Sequence, residues 1–156
     1  MTKRSINYFF VAIFCIMGCK SRQIVFPPKV ISAYNYTKFC DLPNNLNQNV
    51  VYTRGIYRGA EEYWGLISEN GDCKKLESYL ELPMESSLKP KFRRLLRQVH
   101  LRYWKYYLIV DVVGKFKMGD TLGYGHLNSY KTEFNVEKFV DIQIMNKRRV
   151  INGVQV

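Results

Sequence analysis

The chain has 156 residues and a formal net charge of +11, from 24 Lys and Arg against 13 Asp and Glu. This length leaves room for one domain with a modest core and excludes several large domains. The positive balance favours acidic partners such as anionic lipid, acidic glycan or nucleic acid. The 12 Tyr and 9 Phe are typical of the half-buried surface of a sheet.

An apolar segment follows a basic start at the N-terminus. Lys3 and Arg4 precede an unbroken apolar run from Phe9 to Met17. The run is shorter than the ~20 residues that span a bilayer, and it has the length of the apolar part of a secretory signal. The pattern therefore predicts a signal peptide over residues 1–18.

The apolar run ends in Ile16-Met17-Gly18-Cys19, an aliphatic residue, a variable one, a small one and a cysteine. This ending resembles the lipobox of bacterial prolipoproteins. The resemblance implies cleavage after Gly18 and a lipid on Cys19, which would anchor the protein to a membrane of the cell envelope, with the periplasm as the expected compartment and the leaflet left open. Plain secretion and an uncleaved anchor are the alternatives, and the pattern does not distinguish the inner from the outer membrane.

Two cysteines remain once the signal and the lipidated residue are set aside. Cys40 and Cys73 form an even pair in an oxidising compartment, which predicts a disulfide between them. Two free buried thiols are the alternative. The bond would close a loop of about 34 residues.

A tether is predicted over residues 19–39, before a domain over 40–145 and a loosely held tail over 146–156. Pro27-Pro28 stiffens the tether. The apolar residues of Ile24-Val25-Phe26 are suited to docking on the domain.

Alternating apolar and polar residues predict strands over 50–58, 62–67, 106–118 and 130–144, and a weaker one over 73–82. The strand over 106–118 should direct Asp111, Lys115 and Lys117 outward. Its inward residues should be Leu108, Val110, Val112, Phe116 and Met118. A bulge is expected near Lys138 in the last strand.

One amphipathic helix is predicted over residues 89–104. Its apolar stripe consists of Phe92, Leu95, Leu96, Val99 and Tyr103.

Three strands, one helix and two strands, with glycines at bends, resemble the OB-fold, a small five-stranded barrel. The expected fold class is therefore mainly β with one helix, and an antiparallel α+β sheet covered by one helix is the alternative. Phrases such as Glu62-Tyr63-Trp64 and Tyr124-Gly125-His126 are also similar to those of uncharacterised small envelope lipoproteins, a likeness that implies no activity.

The glycine-rich loop after the fourth strand is a candidate ligand site. In an OB-fold the loop between strands four and five often binds ligands. Tyr124 could stack on a sugar or base and His126 could form a hydrogen bond, with Tyr63 and Trp64 completing the surface. The alternative is a flexible hairpin in which His126 fixes the turn.

The predicted helix carries basic residues and no acidic ones. Candidate contacts with an anionic surface are Arg93, Arg94, Arg97 and Arg102. The alternative is a solvated face whose arginine stems cover the core.

The sequence predicts neither a metal site nor a cofactor. Two histidines without ligand spacing do not indicate zinc. The trio Asp120, His126 and Ser129 resembles sets that arise in almost any chain.

The expected function is therefore a non-enzymatic binding or assembly module of the envelope, with an unknown partner. The alternative is an OB-like module that binds oligosaccharide or nucleic acid, with nucleic acid the less expected of the two outside the cytoplasm. A small hydrolase centred on His126 is the third hypothesis.

Overall fold

The structure is a computed structural model that describes residues 25–46, 50–119 and 122–147, together with the backbone of 150–151 and 154–155. The predicted signal peptide, the lipobox with Cys19 and the start of the tether lie outside the described residues.

Five strands close into a barrel, in the order β1-β2-β3-β5-β4. Their bounds are β1 (Val51–Ala60), β2 (Tyr63–Ile67), β3 (Glu77–Glu81), β4 (Tyr106–Met118) and β5 (Thr132–Asn146). Strands β3 and β5 pair in parallel, and the other neighbours pair antiparallel. Helix α1 (Pro90–Leu101) connects β3 to β4. The prediction of a mainly β, OB-like barrel with one helix is confirmed.

Three short 3₁₀ turns and one small ribbon complete the described elements. The turns lie at Phe39–Asn45, Glu85–Ser87 and His126–Asn128. In the tail, β6 (Val150–Ile151) pairs antiparallel with β7 (Val154–Gln155).

The two longest strands bend together around the barrel. The register between β4 and β5 shifts twice, opposite Asp111–Val112 and opposite Val113–Gly114. These shifts leave Val140 and Glu137 as extra residues on β5, which is the structural definition of a bulge. The bulge predicted near Lys138 is confirmed.

The barrel interior and the apolar face of α1 share one core. The helix buries Phe92, Leu95, Leu96 and Val99, as its stripe predicts. Within β4 the inward residues from Leu108 to Phe116 are buried, whereas Met118 keeps the inward parity but is 53% exposed. Met118 is the last residue of the strand, where no core side chain covers it.

Residues 26–37 form an N-terminal strap across the outside of β1, β4 and β5. The backbone N–H of Phe26 donates to Gln143 Oε1 over 3.2 Å, and the Tyr52 hydroxyl donates to the carbonyl oxygen of Lys29 over 2.8 Å. The Thr37 N–H donates to the Tyr52 carbonyl oxygen over 2.8 Å. The strap therefore gives the barrel a second, external layer of buried residues.

Under the strap lies a buried ion pair between facing residues of β1 and β4. Arg54 donates through Nε and Nη2 to the two carboxylate oxygens of Asp111, the latter over 2.8 Å, and also to the Phe26 carbonyl oxygen. The two residues are 3% and 1% exposed. Burial opposes the charge of Arg54, but the hydrogen bonds and charge of Asp111 outweigh it and raise the pKa of Arg54.

The prediction that Asp111 points outward is confirmed, although its side chain does not reach solvent. Asp111 does lie on the outer side of β4, as its parity requires. It is buried because the strap covers that side.

A disulfide joins Cys40 to Cys73, with Cα atoms 5.6 Å apart. It links the first 3₁₀ turn to the connection between β2 and β3. The disulfide prediction is confirmed.

Candidate ligand-binding surface

Two loops meet at one end of the barrel. Glu61 and Glu62 form the two-residue turn between β1 and β2, and the second loop connects β4 to β5. His126 Nε2, in the second loop, lies 2.9 Å from a carboxylate oxygen of Glu62. The Tyr63 and His126 rings pack edge to face, with centroids 5.3 Å apart. The structure thus brings together Tyr63 and His126, which are far apart in sequence.

Two further tyrosines extend this surface across the outer face of the sheet. The Tyr79 and Tyr130 rings have centroids 5.9 Å apart, and Tyr130 is 8% exposed. A Cβ at Gly65 would lie 2.8 Å from the Tyr130 ring, and one at Gly125 would lie 2.7 Å from the Tyr79 ring. The glycines let the two rings approach the backbone closely. The tyrosine–histidine surface is defined as Tyr63, Tyr79, Tyr130 and His126.

Tyr79 and Tyr130 are not among the site residues predicted from the sequence. A signal was present, because Tyr79 occupies an outward position of the third strand and Gly65 an outward position of the second. Gly65 and Tyr79 are direct partners across β2 and β3. Without the register, however, nothing in the pattern places Tyr130 beside them.

Tyr124 shapes the loop through its backbone. Its N–H donates to the Tyr130 carbonyl oxygen over 2.9 Å, and its carbonyl oxygen accepts from the Tyr130 N–H over 3.1 Å. Its side chain is half-buried. Tyr124 thereby holds the segment that carries His126 against β5.

Trp64 lies on the opposite face of β2 from Tyr63, because successive residues of a strand alternate. The indole is 9% exposed and stacks on Tyr57 with centroids 5.2 Å apart. Its Nε1–H donates to the Glu61 carbonyl oxygen over 2.6 Å. Trp64 is a core residue that supports the β1–β2 turn, so its predicted place beside Tyr63 is wrong.

His100 of α1 closes this inner cluster. Its ring centroid lies 4.2 Å from that of Trp64, and its Nε2 is 2.9 Å from the Tyr57 hydroxyl. Burial raises the pKa of Tyr57, so the hydroxyl keeps its proton. Burial also lowers the pKa of His100 and favours the neutral imidazole, whose tautomer sets the direction of its hydrogen bond with the Tyr57 hydroxyl.

Carboxylates surround the tyrosine–histidine surface, although the whole chain is strongly basic. The glutamates at or beside it are Glu61, Glu62, Glu77, Glu81 and Glu133. The nearby cations are Arg58, Lys117 and Lys131, of which Lys117 is bound to Glu133 over 2.7 Å. Burial, followed by the charge of Glu77, raises the pKa of Tyr130 to about 12. Tyr130 itself is buried, so this face offers carboxylate acceptors and the more accessible rings of Tyr63 and Tyr79.

The four arginines of the predicted anionic-surface contact all lie on or directly after α1. Arg94, Arg97 and Arg102 are exposed, whereas Arg93 is half-buried. Arg97 is paired with Glu85 over 3.2 Å.

The serine of the trio does not contact the histidine ring. The Ser129 hydroxyl donates to the main-chain carbonyl oxygen of His126, and Asp120 lies outside the described residues. In the described part of the chain, no three His, Cys, Asp or Glu side chains are grouped to hold a metal. Nor does any helix there have the length and apolar character needed to cross a membrane.

No protein-family model, curated protein or solved structure was found to match the chain. Its function is therefore inferred from the residues of the barrel and its loops.

Proposed function

We propose that the chain is a lipid-anchored envelope protein whose barrel is a non-enzymatic binding module for an oligosaccharide. The observation that carries the proposal is the meeting of two loops in one surface. There Tyr63 packs on His126, His126 contacts Glu62, and Tyr79 continues the aromatic face. The same two loops and strands bind ligands in OB-folds.

The chemistry of the surface favours a neutral sugar over a nucleic acid. Sugar C–H faces stack on tyrosine rings, and sugar hydroxyls donate well to carboxylates such as Glu62 and Glu81. Phosphate contacts supply most nucleic-acid affinity, and a face in which glutamates outnumber cations repels phosphates. The basic residues of the chain are concentrated elsewhere, notably on α1.

Titration calorimetry with chitotetraose, a neutral oligosaccharide, tests this function. Tyr63→Ala and His126→Ala should each weaken binding about fivefold, because stacking and one hydrogen bond each contribute ~1 kcal/mol. Trp104→Ala is the matched control: it removes an aromatic that is 65% exposed elsewhere and should change affinity less than about twofold.

The sugar assignment is wrong if wild-type protein prefers a tetranucleotide with strong salt dependence. It also fails if the three alanine variants bind chitotetraose equally well.

The anchor is proposed on Cys19. Several acyl chains on one residue give stable membrane attachment, at ~0.8 kcal/mol per buried CH₂. Because the strap is docked from Phe26 onward, residues 20–25 would hold the barrel within about 25 Å of the lipid surface. Cys19→Ala should give unprocessed or soluble protein, as checked by fractionation and intact mass. A variant that stays in the membrane at mature size would contradict the anchor.

A second candidate function is direct contact of α1 with an anionic membrane. The segment after the helix exposes apolar side chains beside cations: Leu101 is 67% and Trp104 65% exposed, next to Arg102 and Lys105. Tryptophan with basic residues is typical of the membrane–water interface.

Vesicle binding of the Cys19→Ala chain tests this second function. Binding should rise with phosphatidylglycerol, fall with salt, and weaken in Trp104→Ser. Tyr63→Ala serves as the control and should bind vesicles normally. Vesicle binding that does not depend on lipid charge would contradict this second function.

A further inference from the structure

A cavity of about 310 Å³ lies between α1 and the segment that leads into it from β3. It is separate from the tyrosine–histidine surface and takes no part in the proposed sugar binding. Its apolar lining consists of Leu82, Pro83, Leu88, Leu96 and Leu101. Ligand sites in proteins combine such an apolar lining with a few polar groups.

Three of the four polar residues in the lining already have partners. Arg97 and Glu85 form an ion pair over 3.2 Å. His100 Nε2 is engaged by the Tyr57 hydroxyl. These groups therefore do not call for a ligand.

Arg93, the fourth, lacks a partner for part of its charged group. One Nη2–H donates to the Leu88 carbonyl oxygen over 3.2 Å. Its Nε–H is buried without an acceptor, and no carboxylate in the described ranges lies within salt-bridge distance of the guanidinium. Nε has no free surface for a ligand, but an arginine keeps its charge, so the half-buried guanidinium at this apolar cavity offers its other N–H groups to an anion.

We propose that this cavity binds a medium-chain fatty carboxylate, with the aliphatic chain among the leucines and the carboxylate on Arg93. The volume lies at the lower end of the ~300–1,000 Å³ of ligand pockets, which suits one short chain and excludes a two-chain phospholipid. The carboxylate would accept from the Nη groups of Arg93, in the planar geometry that arginine prefers.

Photo-crosslinking of the full-length protein in phosphatidylcholine nanodiscs tests the site. The probe is decanoate carrying a diazirine on its chain, and labelled peptides are mapped by mass spectrometry. We expect labelling within residues 82–101, displaced by unmodified decanoate. Arg93→Met should reduce it about tenfold or more, because a charge-assisted hydrogen bond is lost. Arg94→Met, an exposed neighbour that does not line the cavity, should label like wild type.

A second measurement does not depend on the variant folding. Wild-type protein should be labelled by the decanoate probe and not by a diazirine-bearing decyltrimethylammonium of the same chain length. Equal labelling by the two probes, labelling outside residues 82–101, or equal loss in a folded Arg93→Met and in Arg94→Met would overturn the proposal.

Discussion

At the scale of single residues, the Arg54–Asp111 pair is the most consequential interaction on the outside of the barrel. Both charges are almost completely removed from water, and each satisfies the other through two hydrogen bonds. Such a pair contributes little net stability but makes the loss of one partner costly.

A double-mutant cycle should expose this coupling. Arg54→Met and Asp111→Leu should each destabilise the protein by roughly 3–5 kcal/mol, because each leaves a buried charge unpaired. The double variant should lose less stability than either single variant. Urea denaturation at pH 7 measures all four proteins, and additive losses would show that the two charges are not coupled.

His100 should make stability fall in mild acid. Burial lowers its pKa in the folded state, so the unfolded chain binds the proton more readily. The contribution is complete above the ordinary histidine pKa of ~6.5 and is lost as the pH falls toward the folded value. In denaturation curves between pH 8 and pH 5.5, His100→Gln should lose less stability than wild type. An equal decline in the two proteins would contradict this role.

At the scale of elements, Gly114 lets β4 cross β5 closely at the second bulge. A Cβ there would lie 2.1 Å from the Asn135 carbonyl oxygen and 2.8 Å from the Phe134 ring. Neither the strand backbone nor the buried ring can move away readily. The glycine is therefore required by the approach of the two strands.

Gly114→Ala should cost more than about 3 kcal/mol, beyond the usual range for overpacking. Gly71→Ala is the control, because Gly71 has φ +69° but no atom within 4 Å of the added Cβ. Its cost should be about 1 kcal/mol, from backbone strain alone. Urea denaturation of both variants and wild type measures the two losses of stability. Similar losses in Gly114→Ala and Gly71→Ala would mean that β4 and β5 can separate at the bulge.

At the scale of the whole molecule, the disulfide ties the segment before β1 to the β2–β3 connection, 33 residues further along the chain. Its removal by Cys40→Ser with Cys73→Ser should cost roughly 3–4 kcal/mol, because the unfolded chain gains the freedom of that loop. Thermal unfolding of the oxidised wild type and the double variant measures the difference. An unchanged midpoint would show that the strap and core hold this segment without the bond.

Charge distribution also belongs to the whole molecule. A net charge of +11 suggests an acidic ligand, yet the face at which the loops meet is bordered by glutamates. Net charge sums over the surface, whereas a ligand meets only one part of it. Composition alone therefore pointed to a partner class that the local surface does not favour.

The sequence by itself predicted the elements and their order, and it favoured the disulfide over two free thiols. Alternation and helical spacing reflect which side of each element meets the core, and those patterns are local. They located β4, α1 and the bulge in β5, and the order of elements favoured the OB-like barrel over an antiparallel sheet covered by one helix.

Only the tertiary structure decided what covers the outward positions. Parity placed Asp111 outside the barrel, but the strap that buries it comes from residues 26–37. Likewise Tyr79 and Tyr130 meet through the parallel pairing of β3 with β5, which joins distant parts of the chain. Alternation records the side on which a residue lies, whereas burial on that side depends on contacts between remote segments, which local patterns do not encode.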